Sequence, residues 1–145
     1  MKIQQKDYYH GAALTQIVEH QSFKALNKAD EKYGHYKINH DVRLMVKRAT
    51  NDEAPWQFTV NASDLVTIKE DIDSGDYFYL CLVCGLYTVC LLDSKQVETL
   101  LNLSLETQQW IKVKNTGSLR VWSSLAELKG TIPHNAFPDK IFEAK

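Results

Sequence analysis

The feature that most constrains the fold is the segment from residue 77 to residue 92, which is apolar nearly throughout. Gly85 divides this segment into two short runs, residues 77–84 and 86–92, each of strand length. Apolar side chains follow one another without polar alternation, so both faces of each strand must be covered by other parts of the protein. Such a pair of strands is typical of the centre of a sheet. The segment falls short of the roughly 20 residues that a membrane-spanning helix needs, so we expect no membrane partner.

All three cysteines, Cys81, Cys84 and Cys90, lie in this segment. Cys81 and Cys84 have C-x-x-C spacing, but redox pairs of that kind normally open a helix. In a strand, residues three apart point to opposite faces. No second cysteine pair and no spaced histidine pair completes a zinc site. We therefore interpret all three as buried, reduced thiols, which together with the lack of a signal segment predicts a cytoplasmic protein.

The hydrophobic period changes along the chain and predicts the order of the elements. A period of 3.6 residues predicts helices, a period of two predicts strands, and capping pairs such as Asn61 with Asp64 and Asp93 with Gln96 mark helix starts. Helices are predicted over residues 11–32 and 61–72 and after Asp93, and strands over residues 36–38, 42–46, 56–60, 77–84, 86–92, 110–114 and 119–122. We predict an α+β (mixed α/β) fold with a central mixed sheet of about five to seven strands flanked by about three helices.

Length and charge limit the classes of protein further. The chain has 145 residues, which fits one domain over residues 1–145 with an irregular tail from about residue 125 onwards. Seventeen basic and eighteen acidic side chains leave a net charge of −1. Neither a strongly basic nucleic-acid binder nor an acidic tail is indicated by that balance.

One stretch carries a resemblance to a known family. A helix with Glu19 is followed by a strand hairpin with Asp41 and Lys47, and then by a helix and a strand. This order resembles the core of the restriction-endonuclease-like, or PD-(D/E)XK, superfamily over roughly residues 10–92. The resemblance implies a divalent-metal-dependent nuclease with Glu19 as the helix glutamate, Asp41 as the Mg²⁺-binding aspartate and Lys47 as the lysine that activates or positions the attacking water.

The motif is degenerate at one position. Met45 stands where the family has the carboxylate of its triplet, and a thioether is a poor ligand for Mg²⁺. On the simpler interpretation Asp41 shapes a turn, and Lys47 belongs to the solvated face of a half-buried strand. That interpretation predicts no metal and no cofactor, with Mg²⁺ required only if the chain is a nuclease.

Basic side chains gather on two predicted hairpins. Arg43, Lys47 and Arg48 share the first hairpin. The second carries Lys112, Lys114 and Arg120, with Trp110 on the same strand face as the two lysines. A cationic strip with an aromatic ring is typical of a surface that binds single-stranded nucleic acid or a partner protein, although a solvated sheet face has the same pattern.

No complete catalytic motif is present. There is no G-x-S-x-G elbow, no phosphate-binding glycine loop and no paired-histidine spacing in the sequence. The first hypothesis is therefore a small, non-enzymatic binding protein, such as an immunity or antitoxin protein that neutralises another protein. The alternatives are a metal-dependent nuclease of restriction-endonuclease-like fold and a regulator that binds nucleic acid through the two basic hairpins.

Overall fold

A computed structural model describes residues 1–143 of the chain; residues 144 and 145 of the predicted domain lie outside the described residues. The described part has four α-helices and eight strands, which confirms the α+β class. The helices are α1 (Gln5–Val18), α2 (Ala62–Asp73), α3 (Ser94–Leu100) and α4 (Ala136–Asp139), with a 3-10 turn at Lys140–Phe142. The strands are β1 (Leu26–Lys28), β2 (His35–Ile38), β3 (Val42–Ala49), β4 (Trp56–Val60), β5 (Tyr77–Cys84), β6 (Thr88–Asp93), β7 (Gln109–Asn115) and β8 (Leu119–Ser123).

Five of the strands form a central mixed sheet in the order β1-β2-β3-β5-β6. β3 and β5 run parallel, with Val42 opposite Tyr77 and Ala49 opposite Cys84, and the other neighbours are antiparallel. All residues of β5 after the first are buried, as the two-faced apolar pattern predicts. The remaining strands, β4, β7 and β8, form a separate antiparallel sheet that the sequence pattern did not distinguish from the central one.

Two hydrophobic cores lie on opposite faces of the central sheet, because neighbouring residues of a strand point to opposite sides. On one face, Cys81 belongs to a core with Ile17 of α1 and Ile141 near the C-terminus. On the other face, Leu80 belongs to a larger core that includes Ile111 of the three-stranded sheet, together with buried residues of α2 and α3. The central sheet is therefore covered on both sides.

The three cysteines follow this division. Cys81 faces the α1 side of the sheet, whereas Cys84 and Cys90 face the larger core. All three are buried and unpaired, and burial raises the pKa of the Cys84 thiol to about 12. The prediction that the three cysteines are buried and form no disulfide is confirmed. No helix within residues 1–143 has the length and apolar character needed to cross a bilayer.

The prediction of a helix over residues 11–32 is right for residues 11–18 and wrong beyond them. α1 begins at Gln5, where the Asp7 carboxylate accepts a hydrogen bond from the Gln4 N–H at 3.0 Å, and it ends at Val18. The following segment is held extended by Asn39, whose Oδ1 accepts hydrogen bonds from the backbone N–H groups of Lys24 and Ala25. The apolar residues after position 22 have helical spacing, but in the structure they lie in the edge strand β1 and in the segment that leads to it. For a short apolar run, periodicity alone cannot distinguish a helix from a strand.

Two helix starts follow their predicted caps. The Asn61 side chain accepts a hydrogen bond from the Asp64 N–H, and Asp93 accepts one from the Gln96 N–H, both at 2.9 Å. The predicted irregular tail is partly ordered and buried, because α4 places Phe137 against the α1 side of the sheet.

Candidate binding surface

The residues of the nuclease resemblance do not come together. Asp41 lies in the turn before β3, and Lys47 lies six residues further along the same extended segment, a separation of roughly 20 Å. Glu19 caps the C-terminus of α1, is exposed, and shares no ion pair with Asp41 or Lys47 in the described residues. Within residues 1–143 no three His, Cys, Asp or Glu side chains are grouped so that they could hold a metal ion.

Lys47 belongs instead to an ion-pair network between β2, β3 and α2. Its Nζ donates to Asp64 Oδ2 at 2.5 Å, and Lys32 Nζ lies 3.0 Å from Asp64 Oδ1. The Asp64 side chain is only 3% exposed. Burial alone would raise the pKa of Asp64, but the hydrogen bonds from Lys47 and Lys32 bring it below its usual value. Asp64 is therefore ionised and doubly paired.

The second half of the network surrounds Asp71. Asp71 Oδ2 is 2.5 Å from His35 Nε2, and Asp71 Oδ1 accepts a hydrogen bond from Arg43 at 3.2 Å. Arg43 also donates to Asp76 at 3.0 Å. His35 Nδ1 lies 3.0 Å from Asp30 Oδ1, close enough for an ion pair but without the alignment of a hydrogen bond. Arg43, predicted as a binding residue, thus faces two carboxylates.

The other predicted binding residues do share a surface. Trp110, Lys112 and Lys114 alternate with the buried Ile111 and Val113 of β7 and so point away from the core. In the register of the sheet, Trp110 lies opposite Thr59, Lys112 lies between Gln57 and Trp122, and Lys114 lies opposite Arg120. We call the surface formed by Trp110, Lys112, Lys114, Arg120 and Trp122 the cationic face.

The cationic face combines aromatic area with charge that is weakly compensated. Lys112 Nζ lies 4.9 Å from the centre of the Trp110 ring, a cation–π contact. Within residues 1–143, Lys112 and Lys114 have no ion pair, and Arg120 has a single exposed contact of 3.8 Å with Glu127. Like charges directly opposite each other in a sheet are destabilising. The Lys114–Arg120 pair is therefore a feature that the fold alone does not favour.

Arg48, the last of the predicted binding residues, lies beside this face. It is exposed on β3 and lines a cleft of about 620 Å³ whose opposite wall includes Gln57 and Thr59 of β4. Because Gln57 and Thr59 pair with Lys112 and Trp110 across the sheet, the cleft opens next to the cationic face.

Sequence reasoning missed four contributors. Trp122 is one of them, and the register places it beside Lys112. Asp64 and Asp71 are seven residues apart on α2, a spacing that puts two acids on one helix face and could have signalled a charged contact. No sequence signal marks His10, because its place in the cleft beside Arg48 depends on how α1 packs.

Comparison with models of protein families, with curated proteins and with solved structures found no match for this chain. The proposed function therefore rests on the geometry of this chain's own residues.

Proposed function

We propose that this chain is a non-enzymatic binding protein that holds single-stranded nucleic acid on the cationic face. One observation carries the proposal: on the solvent side of an antiparallel sheet, Lys112 lies opposite Trp122 and its Nζ contacts the ring of Trp110, two residues away on β7. Proteins that bind single strands combine aromatic rings, on which bases stack, with cations that follow the phosphate backbone. Both components are present here within one sheet face.

The charge of the face supports an anionic ligand. Lys114 and Arg120 oppose each other across the strand pair, and a phosphate between them would turn a repulsive pair into a favourable contact. A strand spacing of about 5 Å separates neighbouring rows of side chains. The rings of Trp110 and Trp122 are therefore near enough for bases of one nucleic-acid strand to stack on both of them.

Unstacked bases suit this surface better than a duplex. Sequence-tolerant stacking needs exposed base faces, which single strands provide and double helices do not. The net charge of −1 indicates that positive charge is local rather than global, so we expect moderate affinity that depends strongly on salt. The three unpaired cysteines suit a reducing compartment, and we place the binding function in the cytoplasm.

A partner protein, as in an immunity or antitoxin role, is the competing ligand. Tryptophan and arginine also dominate protein interfaces. Nucleic acid is favoured because the face combines its two indoles with three cations, whereas the one carboxylate beside it among residues 1–143, that of Glu127 opposite Trp122, makes only an exposed 3.8 Å contact with Arg120. A protein partner would have to present acidic groups in the same rows.

The test is binding of a fluorescent oligothymidylate of about 12 nucleotides, a length within the usual site size. Trp110→Ala and Trp122→Ala should each weaken binding about tenfold, since one stacked base contributes about 1–3 kcal/mol. Lys24→Ala, in an exposed loop before β1, is the matched control and should leave affinity unchanged.

Two outcomes would overturn the proposal. The first is absence of saturable binding at low salt, or binding that the tryptophan variants do not weaken. The second is cleavage of the strand in Mg²⁺ that Lys47→Ala abolishes, because that would make the chain a nuclease.

A further inference from the structure

The cleft beside the cationic face is built from three elements. Its walls include His10 of α1, Lys47 and Arg48 of β3, and Gln57 and Thr59 of β4. It exists because β2 is shorter than β3: in the described residues, the pairing of the two strands ends at His35 and Met45, apart from one hydrogen bond from the Val46 N–H to the Gly34 carbonyl. Beyond that bond, the edge of β3 has no strand beside it.

This open edge presents a backbone donor. The Val46 N–H points toward β2, and N–H groups two residues apart in a strand point to the same edge. The N–H of Arg48 therefore points to the open edge, where no strand of the described chain accepts its hydrogen bond. Backbone N–H groups at such positions are suitable donors to anions.

Charge in the cleft is predominantly positive. Arg48 is exposed and has no ion pair within residues 1–143, and Lys6 Nζ lies 4.0 Å from the ring centre of the neighbouring Tyr33. Burial, followed by the positive charges of Arg48 and Lys6, lowers the pKa of His10 to about 4, with Asp7 opposing. His10 is consequently neutral at pH 7 and leaves one ring N–H free to donate.

His10 is also the one side chain of the cleft with an unsatisfied buried atom among the described residues. The residue is only 4% exposed, and its Nδ1 has no hydrogen-bond partner. A buried polar atom without a partner costs about 1–3 kcal/mol. His10 therefore brings an imidazole without a hydrogen-bond partner to the wall of a cationic cleft, where a ligand with hydrogen-bonding oxygens is favoured.

We propose that this cleft binds a phosphate group, with the Arg48 guanidinium and backbone N–H, the Thr59 hydroxyl and the His10 imidazole as donors. A guanidinium presents parallel N–H groups that match a phosphate. Only the statement that this phosphate belongs to the backbone of a bound nucleic-acid strand rests on the proposed function. The site itself does not, because its donors are complete without the cationic face.

The first arm of the test uses inorganic phosphate alone. The chain has three arginines, Arg43, Arg48 and Arg120, so its arginine Nε–H signals in a ¹⁵N-labelled sample are few and assignable with Arg48→Lys. At constant ionic strength, phosphate should shift the Arg48 signal saturably. Arg43, which is held by Asp71 and Asp76, is the internal control.

Variants separate the site from general ionic effects. Arg48→Ala should weaken phosphate binding, followed through the imidazole signal of His10, about tenfold, as expected for the loss of a charge-assisted hydrogen bond. Thr59→Val should weaken it less, and Lys24→Ala should not change it. Absence of saturation at Arg48, or an equal shift at Arg43, would overturn the inference.

The second arm uses the oligothymidylate. If the cleft takes a backbone phosphate, the strand shifts the same Arg48 signal and competes with inorganic phosphate. Strand binding that leaves Arg48 unmoved would overturn the inference while the proposed function stands. Phosphate binding at Arg48 without any strand binding would keep the cleft site, assign it to a free phosphate, and overturn the proposed function.

Discussion

Lys47 of β3 donates a hydrogen bond to Asp64 of α2, with 2.5 Å between Nζ and Oδ2. The Asp64 side chain is 3% exposed and that of Lys47 is 22% exposed, so the pair lies largely inside the protein. Removing one partner of such a pair leaves the other charge buried. We expect Lys47→Met to lower the free energy of unfolding by about 2–3 kcal/mol, somewhat less than for a fully buried pair because Lys32 still contacts Asp64.

The exposed pair Lys28–Glu31 provides the matched control. Its side chains are 68% and 99% exposed, and exposed ion pairs contribute about 0–1 kcal/mol. Lys28→Met should therefore change the free energy of unfolding, measured by urea denaturation, by no more than about 0.5 kcal/mol. Equal effects of the two substitutions would show that the Lys47–Asp64 contact does not hold α2 against the sheet.

A second prediction concerns His35 and the pH dependence of stability. Burial acts to lower the pKa of His35, but Asp71 and Asp30 outweigh it, so the pKa in the folded state is above 6.5. The resulting stability is fully present below pH 6.5 and is lost as the pH rises through the folded-state pKa. We expect His35→Gln to be most destabilising below pH 6.5 and progressively less destabilising as the pH rises above 6.5, as measured by urea unfolding.

His10 provides a third prediction, of opposite sign. Burial and the nearby cations lower its pKa to about 4, so stability from neutral His10 is present above pH 6.5 and is lost as the pH falls toward 4. One pKa unit corresponds to about 1.4 kcal/mol, so this loss amounts to at most about 3 kcal/mol. His10→Gln should become more stable relative to the natural chain as the pH is lowered from 7 to about 4.5. If both histidine variants shifted in the same direction, the assignment of the two environments would be wrong.

Local signals account for the parts of the fold that the sequence predicts well. The caps at Asn61 and Asp93 act within three residues, and the alternation in β7 sets which residues share the face of Trp110 and Lys112. These features depend on short-range hydrogen bonds and on the twofold period of a strand. The cationic face could therefore be predicted in large part before its neighbours were known.

The ion-pair network and the cleft depend on contacts between distant segments. His35 and Asp71 are 36 residues apart in the chain, and the cleft unites residues of α1, β3 and β4. Nothing in the local pattern of a charged residue specifies that it will be buried against a partner, since charges are normally exposed. For the same reason the pattern could not separate a solvated Lys47 from a catalytic one, whereas the structure pairs it with Asp64.

Gly34 provides a fourth prediction, which links stability to the cleft. Its φ is +81°, and a Cβ there would lie 2.9 Å from both His10 Cε1 and the Val46 carbonyl oxygen. Gly75 has a similar φ of +89° but nothing within 4 Å of its would-be Cβ. Gly75→Ala should cost about 1 kcal/mol from backbone strain alone. Gly34→Ala should cost at least about 1 kcal/mol more, because an added carbon in a packed site displaces its neighbours.

Gly34→Ala should also affect phosphate binding, since His10 must move to make room for the new side chain. Gly75→Ala should bind phosphate as the natural chain does. Comparison of the two variants by urea unfolding and by phosphate titration checks both points. Equal stability losses, or unchanged phosphate affinity in Gly34→Ala, would contradict the close packing of His10 against Gly34.

The fifth prediction is the salt dependence of strand binding. Arg48, Lys112, Lys114 and Arg120 offer four positive charges to the phosphate backbone. Each phosphate neutralised on a single strand contributes about −0.7 to the slope of log K against log salt concentration, so the slope should approach about −3. Lys112→Ala and Arg48→Ala should each make it shallower by about 0.7. Lys24→Ala should leave it unchanged, and a slope that Lys112→Ala does not alter would show that the strand binds elsewhere.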